Sequence, residues 1–244
     1  MNKIKIDAKN LDYKTLNKKI KELIKNGYKK IYIKNVFGQR YIGAGLKNCE
    51  IYIDGVAGND IGCFMDGAKI FVNGNAQDGV GNTMNSGEIV INGNAGDIVG
   101  HSMRGGGIYI KGDVGYRVGI HMKAYNEYFP VIVIGGTAGD FLGEYMAGGL
   151  IIILNLERKN KIVGELIGTG MHGGEIFIFG QVDERIIGKE VRIFKANEDD
   201  IYKIENYIKK FCNYFDLKYE DISLKEVIKL LPVTKRPYGK IYAY

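Results

Sequence analysis

Three histidines supply all the imidazole in this chain of 244 residues, and two of them, His101 and His121, are the first residues to ask about chemistry. Imidazole nitrogens together with a carboxylate such as Glu144 are the donor set of a divalent-metal or acid–base centre, provided the fold brings them within a few ångströms of one another. The spacing argues against it. No ligand type recurs along the chain, Ile120 interrupts the series between His101 and Glu144, and His172 stands apart after Met171, so polar corner residues are expected instead. Aspartate recurs better, at Asp60, Asp78, Asp97 and Asp140, each two or three positions before a glycine. Repeated Asp beside Gly suggests calcium in some repeat proteins, but their nonapeptide pattern is absent, and Asp capping local backbone N–H groups in turns is the expected role. Cys49, Cys63 and Cys212 are odd in number, widely spaced and in no C-x-x-C arrangement, which argues against a disulfide framework or an iron–sulfur site within the chain. The glycine strings join strand to strand, whereas a dinucleotide fingerprint joins strand to helix. No catalytic, cofactor-binding or metal residue is therefore assigned.

The elements that position these residues come from one repeat. Gly43, Gly62, Gly81, Gly100 and Gly119 stand nineteen apart, and Leu46, Met65, Met84, Met103 and Met122 follow them by three positions. An aliphatic segment starts five positions later, at Ile51, Ile70, Ile89 and Ile108. Two further copies, Gly143/Met146/Ile151 and Gly168/Met171/Ile176, follow with insertions. Of 35 glycines, 32 fall between residues 38 and 180, a density that no helical repeat tolerates and a spacing that is not collagen's.

Nineteen residues at about 3.3 Å each make a perimeter of about 60 Å, which suits a closed, roughly triangular turn of short strands stacked about 4.8 Å apart. The expected fold class is all-β, a right-handed parallel β-helix of about seven coils with small α-helical caps at both ends. Residues 1–35 are read as an N-terminal cap, 36–194 as the glycine-repeat β-helix and 195–244 as a C-terminal helical cap and tail. Equivalent residues should form rows: Ile51, Ile70, Ile89, Ile108, Ile132, Ile151 and Ile176 in one, Met65 to Met171 in another. The alternating residues Tyr52, Phe71, Val90, Tyr109, Val133, Ile152 and Phe177 then face outward as an apolar stripe too large to stay wet. A helix over 199–215 can cover it, and so can a partner. A second amphipathic helix is read over 12–26, and the tail with Pro237 and Gly239 is free to reach a neighbour.

Charge bounds the partners. Residues 1–35 carry 11 Lys against 3 acids, 36–181 carry 10 Lys and Arg against 14 acids, and 182–244 carry 13 against 11. The excess sits on the solvated face of the N-terminal helix, which does not describe a nucleic-acid surface. No apolar run is long enough to cross a bilayer and no signal pattern is found, so a cytoplasmic protein is expected. Two insertions, Ala124–Phe129 and Glu157–Lys161, interrupt the repeat. Insertions in repeat proteins map to protruding, often binding, loops, and the first carries Tyr125, Tyr128 and Phe129, the leading candidate for partner contact.

The pattern Gly-x-x-x-Gly-x-x-Met-x-Gly-Gly-x-Ile-x-Ile-x-Gly, nearly intact at 96–112 and 139–153 and most specific at 74–84 and 112–122, resembles the C-terminal glycine-repeat (GXGXG) domain of the glutamate synthase large subunit. The resemblance covers roughly residues 36–181, with Gln77 in place of one repeat glycine. It implies a stand-alone form of that domain, a structural subunit in a complex that makes glutamate from glutamine and 2-oxoglutarate. Partners would be the glutamine amidotransferase and the synthase chains. FMN and iron–sulfur clusters are expected on those partners, because nothing here resembles the amidotransferase's N-terminal cysteine or the flavin-binding barrel. A homo-oligomer is compatible with the reading. The glycine-repeat β-helix subunit of formylmethanofuran dehydrogenase is similar in the same repeat and is the first alternative. An autonomous carbohydrate-binding or hydrolytic β-helix is the second, and it lacks the paired carboxylates it would need.

Overall fold

The computed structural model describes residues 3–233; the expectation about a tail carrying Pro237 and Gly239 falls outside them. The chain runs β1 (Lys3–Asp7), α1 (Tyr13–Lys25), β2 (Lys30–Phe37), β3 (Glu50–Val56), β4 (Asp66–Asn73), β5 (Ser86–Ile91), β6 (Gly106–Ile110), β7 (Pro130–Ile134), β8 (Ala147–Ile153), β9 (Gly173–Phe179), β10 (Val191–Lys195), α2 (Glu198–Phe215) and β11 (Val227–Pro232). All these strands lie in one 11-stranded sheet of order β1-β2-β3-β4-β5-β6-β7-β8-β9-β11-β10. Pairing is parallel from β1 to β9, and antiparallel where β11 inserts between β9 and β10.

This corrects the expected fold class. The molecule is not an all-β helix of coils with several strands each: every repeat contributes one strand to a single sheet, and two helices of 13 and 18 residues make it a sheet-dominated α/β fold. The physical reason lies in the remainder of each repeat. It runs as consecutive turns joined to their neighbours by several scattered backbone hydrogen bonds and isolated bridges such as Ala57 to Ala76, and not by a second ladder. The closing β11 also reverses direction, which a strict stack of equal turns does not allow.

The nineteen-residue register itself governs the strands. Ile51 pairs with Ile70, Ile70 with Ile89 and Ile89 with Ile108. The row continues through Ile132, Ile151 and Ile176, all fully buried, and the methionine row Met65, Met84, Met103, Met122, Met146 and Met171 is buried with it. A further row, Ile42, Ile61, Val80, Val99, Val118, Leu142 and Ile167, stands just before each repeat glycine and is also fully buried. Each such side chain contributes roughly 1.5–3 kcal/mol by leaving water. At the β1 end, α1 joins the same core through Leu16 and Ile20. Asp12 starts that helix by accepting the N–H groups of Lys14 and Thr15, and Gly27 follows it at φ +88°.

On the opposite face, α2 packs Ile204, Ile208, Phe211, Cys212 and Phe215 against Val90, Tyr109, Val133, Ile152 and Phe177. The chain thus covers five of the seven stripe residues itself. Phe71 meets the end of the helix edge to face at Tyr214, 6.1 Å between ring centroids, and Tyr52 lies one strand further out; both are half-buried, with their rings stacked 4.9 Å apart. α2 opens with a capping box between Asn197 and Asp200, and Asp200 also receives the Lys229 ammonium of β11 at 2.6 Å, tying the helix start to the inserted strand.

Candidate functional site

The turn region that carries the polar candidates has a regular backbone. Within each repeat, residues two before, at and two after the repeat glycine adopt positive φ: Tyr41, Gly43 and Gly45 in the first, Ile98, Gly100 and Ser102 in the fourth, Phe141, Gly143 and Tyr145 in the sixth. The central position is glycine in all seven copies, because its Cα faces the core. The outer two lie off that core row and carry side chains in most copies, Gly45, Gly79 and Gly170 being the exceptions, at the cost of about 1–2 kcal/mol for each left-handed residue that is not glycine.

His101 and His121 approach through this geometry without converging on a site. Their rings meet edge to face at 6.1 Å, and His121 stacks on Tyr145 at 5.3 Å. His101 Nδ1 lies 3.2 Å from Asn82 Oδ1, and the Asn82 amide donates to Asp60. Burial, and then the neighbouring His121, hold the His101 pKa below the usual histidine value. Glu144 is taken by Arg117, whose Nε donates at 2.9 Å and whose guanidinium also lies over the Phe141 ring. Among the described residues, no group of three or more His, Cys, Asp and Glu is placed to hold a metal ion. The three cysteines are free, buried and in separate places, and burial pushes the Cys63 thiol up to about 11.

The aspartates bind the next repeat and not their own turn. Asp78 Oδ1 accepts from the N–H of Asp97 at 2.9 Å, Asp97 Oδ1 from Tyr116 at 2.8 Å, and Asp140 Oδ1 from Glu165 at 2.9 Å. A parallel row, not anticipated from the sequence, links Asn75, Asn94, Asp113 and Thr137 in the same way. Asn and Asp do recur there at the repeat spacing, but the change of residue type hides the signal.

The insertion at 124–129 stands apart from this network. Tyr125 and Tyr128 exchange both backbone hydrogen bonds at 3.0 Å around Asn126, which sits at φ 51°. The result is a tight hairpin that keeps Tyr125, Tyr128 and Phe129 exposed by 46%, 42% and 42%. Its tyrosines form one wall of an open basin of about 480 Å³, whose other lining residues are Asp66, Asn85, Arg104 and Lys123. A second concavity, of about 510 Å³, lies between the loop 154–162, which contains the Glu157–Lys161 insertion, and residues 221–226, and Asn155 there closes its own loop onto Lys159. No helix among the described residues is long and apolar enough to cross a membrane.

Comparison with known proteins adds two findings. The sequence matches the family described as "GXGXG motif" over residues 14–233, from α1 to the end of β11. It is also similar to an uncharacterized protein of Methanocaldococcus jannaschii, 49% identical over 254 residues that cover 99% of this chain and 97% of the relative.

Proposed function

We propose a function that starts from what the chain is: it belongs to the GXGXG motif family, of the type that forms the C-terminal domain of the glutamate synthase alpha subunit. On that premise the chain is a cytoplasmic assembly subunit of a multi-chain glutamate synthase, bracing the glutamine amidotransferase and the synthase chains that carry FMN and iron–sulfur clusters. Ammonia release and reduction are assigned to those partners. The observation that carries the reading is the reach of the family match, which takes in ten of the eleven strands and both helices. The use of the polar side chains supports it. The candidate His, Asp and Glu residues are engaged with neighbouring repeats, as a scaffold requires, and the protruding aromatic element, Tyr125 to Phe129, has the composition of a contact surface.

Affinity purification from the native source, with identification of the chains that accompany the protein, tests this. The expected companions are an amidotransferase and a flavin and iron–sulfur synthase. Molybdenum- or tungsten-enzyme chains in their place would transfer the protein to a formylmethanofuran dehydrogenase complex, and robust hydrolase activity of the isolated protein would defeat both readings.

A further inference from the structure

The basin beside the hairpin has an uneven charge. Asp66 is already neutralised by Lys47 at 2.6 Å and accepts from the Ser86 hydroxyl at 2.8 Å. Arg104 and Lys123 have no carboxylate within ion-pairing distance among the described residues; Lys123 rests only near the Tyr125 ring, 5.7 Å from its centroid. Two uncompensated cations therefore share one concave surface, inside a region, residues 36–181, where acids outnumber bases by 14 to 10. A concavity lined by one sign of charge focuses its field and draws the opposite sign.

The tyrosines are held in advance of any partner. The hairpin closes on its own backbone bonds, and Tyr128 lies over the preceding repeat at Gly105, where a Cβ would stand 3.2 Å from the ring. Rings fixed in this way lose little entropy on binding. The basin is open and its aromatic rim protrudes, whereas small-molecule sites enclose most of their ligand. Tyrosine and arginine together are the residues that anchor protein interfaces.

We propose that this basin docks an acidic segment of a partner protein, whose carboxylates pair with Arg104 and Lys123 while its apolar side chains pack on Tyr125 and Tyr128. This rests on the assembly reading and gives the chemistry of the partner at that surface.

Two measurements on the full chain separate the two claims. In the first, fluorescence anisotropy follows a labelled peptide alternating glutamate with phenylalanine, against a counterpart with lysine for glutamate. The glutamate peptide binds the more tightly, its affinity falls as salt is raised, and the double variant R104E/K123E weakens it at least about tenfold. The charge-neutral R104Q/K123Q falls between, with both variants keeping the thermal midpoint of the wild type. No binding of the glutamate peptide, no preference over the lysine peptide, or equal binding by folded R104E/K123E overturns the proposal. In the second, the variants are purified with their companions. If wild type and R104E/K123E retain synthase chains equally at every salt concentration, the docking surface is wrong and the assembly reading stands. If wild type retains none of those chains while the glutamate peptide still binds, the assembly reading falls and the acidic-docking surface survives.

Discussion

A Cβ placed on Gly81 would stand 2.5 Å from Cδ1 of Ile108, one repeat further along, and Gly62 has the same relation to Ile89, Gly119 to Ile151 and Gly143 to Ile176. The repeat glycine is therefore closed to side chains twice over. Its φ of +67° disfavours any L side chain, and the space a methyl group needs is filled by the isoleucine row. Gly81→Ala is expected to lower stability by about 2–5 kcal/mol in urea denaturation, the sum of left-handed strain and overpacking. Ile98, also left-handed at φ 52° but facing outward, is the control. Ile98→Gly should change stability by less than about 1 kcal/mol, in either direction; a Gly81→Ala variant as stable as wild type would refute the packing argument.

The aspartate rows make a separate prediction, because their function is acceptance and not charge. Asp97 Oδ1 holds the Tyr116 N–H, while in the parallel row asparagines at 75 and 94 do the same for Asn94 and Asp113. Asp97→Asn should therefore be nearly neutral, whereas Asp97→Ala should lose about 0.5–1.5 kcal/mol, the net worth of a hydrogen bond whose exposed donor turns to water instead. Hydrogen exchange at the Tyr116 amide gives the local readout: accelerated in Asp97→Ala, unchanged in Asp97→Asn.

Part of this architecture is visible in the sequence and part is not, for identifiable reasons. The Ile51 to Ile176 row shows because two periods coincide in it, the strand's alternation and the nineteen-residue repeat. The row from Ile42 to Ile167 is as deeply buried but lies between left-handed residues, where neither a strand nor a helix period applies. The repeat misleads about fold class because a period fixes how far apart equivalent strands are, not how many strands a repeat contains. β11 escapes notice because Val227–Pro232 is short, ends in proline and is placed by its antiparallel neighbours. The aromatic insertion is legible from composition alone; that Arg104 and Lys123 join Tyr125 and Tyr128 in one basin is not, since Arg104 comes from the preceding repeat.

The apolar stripe depends on α2, and Phe211 is the largest of the helix's fully buried side chains, edge to face with Phe215 at 4.7 Å. Phe211→Ala should cost about 3–5 kcal/mol, as large-to-small core changes do. Because the helix covers Val133, Ile152 and Phe177, its loosening exposes a continuous apolar surface. The variant should bind a hydrophobic dye and self-associate in sedimentation, at temperatures where the β3 to β8 amides remain protected. Loss of all protection at once would mean that sheet and helix do not separate.

Glu88 ties the other end of α2 to the sheet, and its titration has a definite sign. The carboxylate pairs with Lys210, accepts from the Tyr214 hydroxyl at 2.6 Å and meets Lys69 at 3.1 Å. Burial alone would raise its pKa, but the bonds from Lys210, Tyr214 and Lys69 outweigh that and hold it below the usual glutamate value of 4.5. A group whose pKa is lower folded than unfolded stabilises the fold above its unfolded pKa and ceases to do so as pH falls through the folded one. Wild type should therefore lose stability as pH drops below about 4.5, faster than Glu88→Gln, which lacks this group. At pH 7 wild type should be the more stable of the two, because Glu88→Gln leaves Lys210 without its counter-charge, and that advantage shrinks as pH falls. The difference between the two unfolding curves isolates Glu88 from the other carboxylates with lowered pKa, Asp7, Glu50 and Asp66 among them. Curves that stay parallel from neutral pH into the acid range would show that the Lys210 and Tyr214 contacts add nothing to the docking of α2.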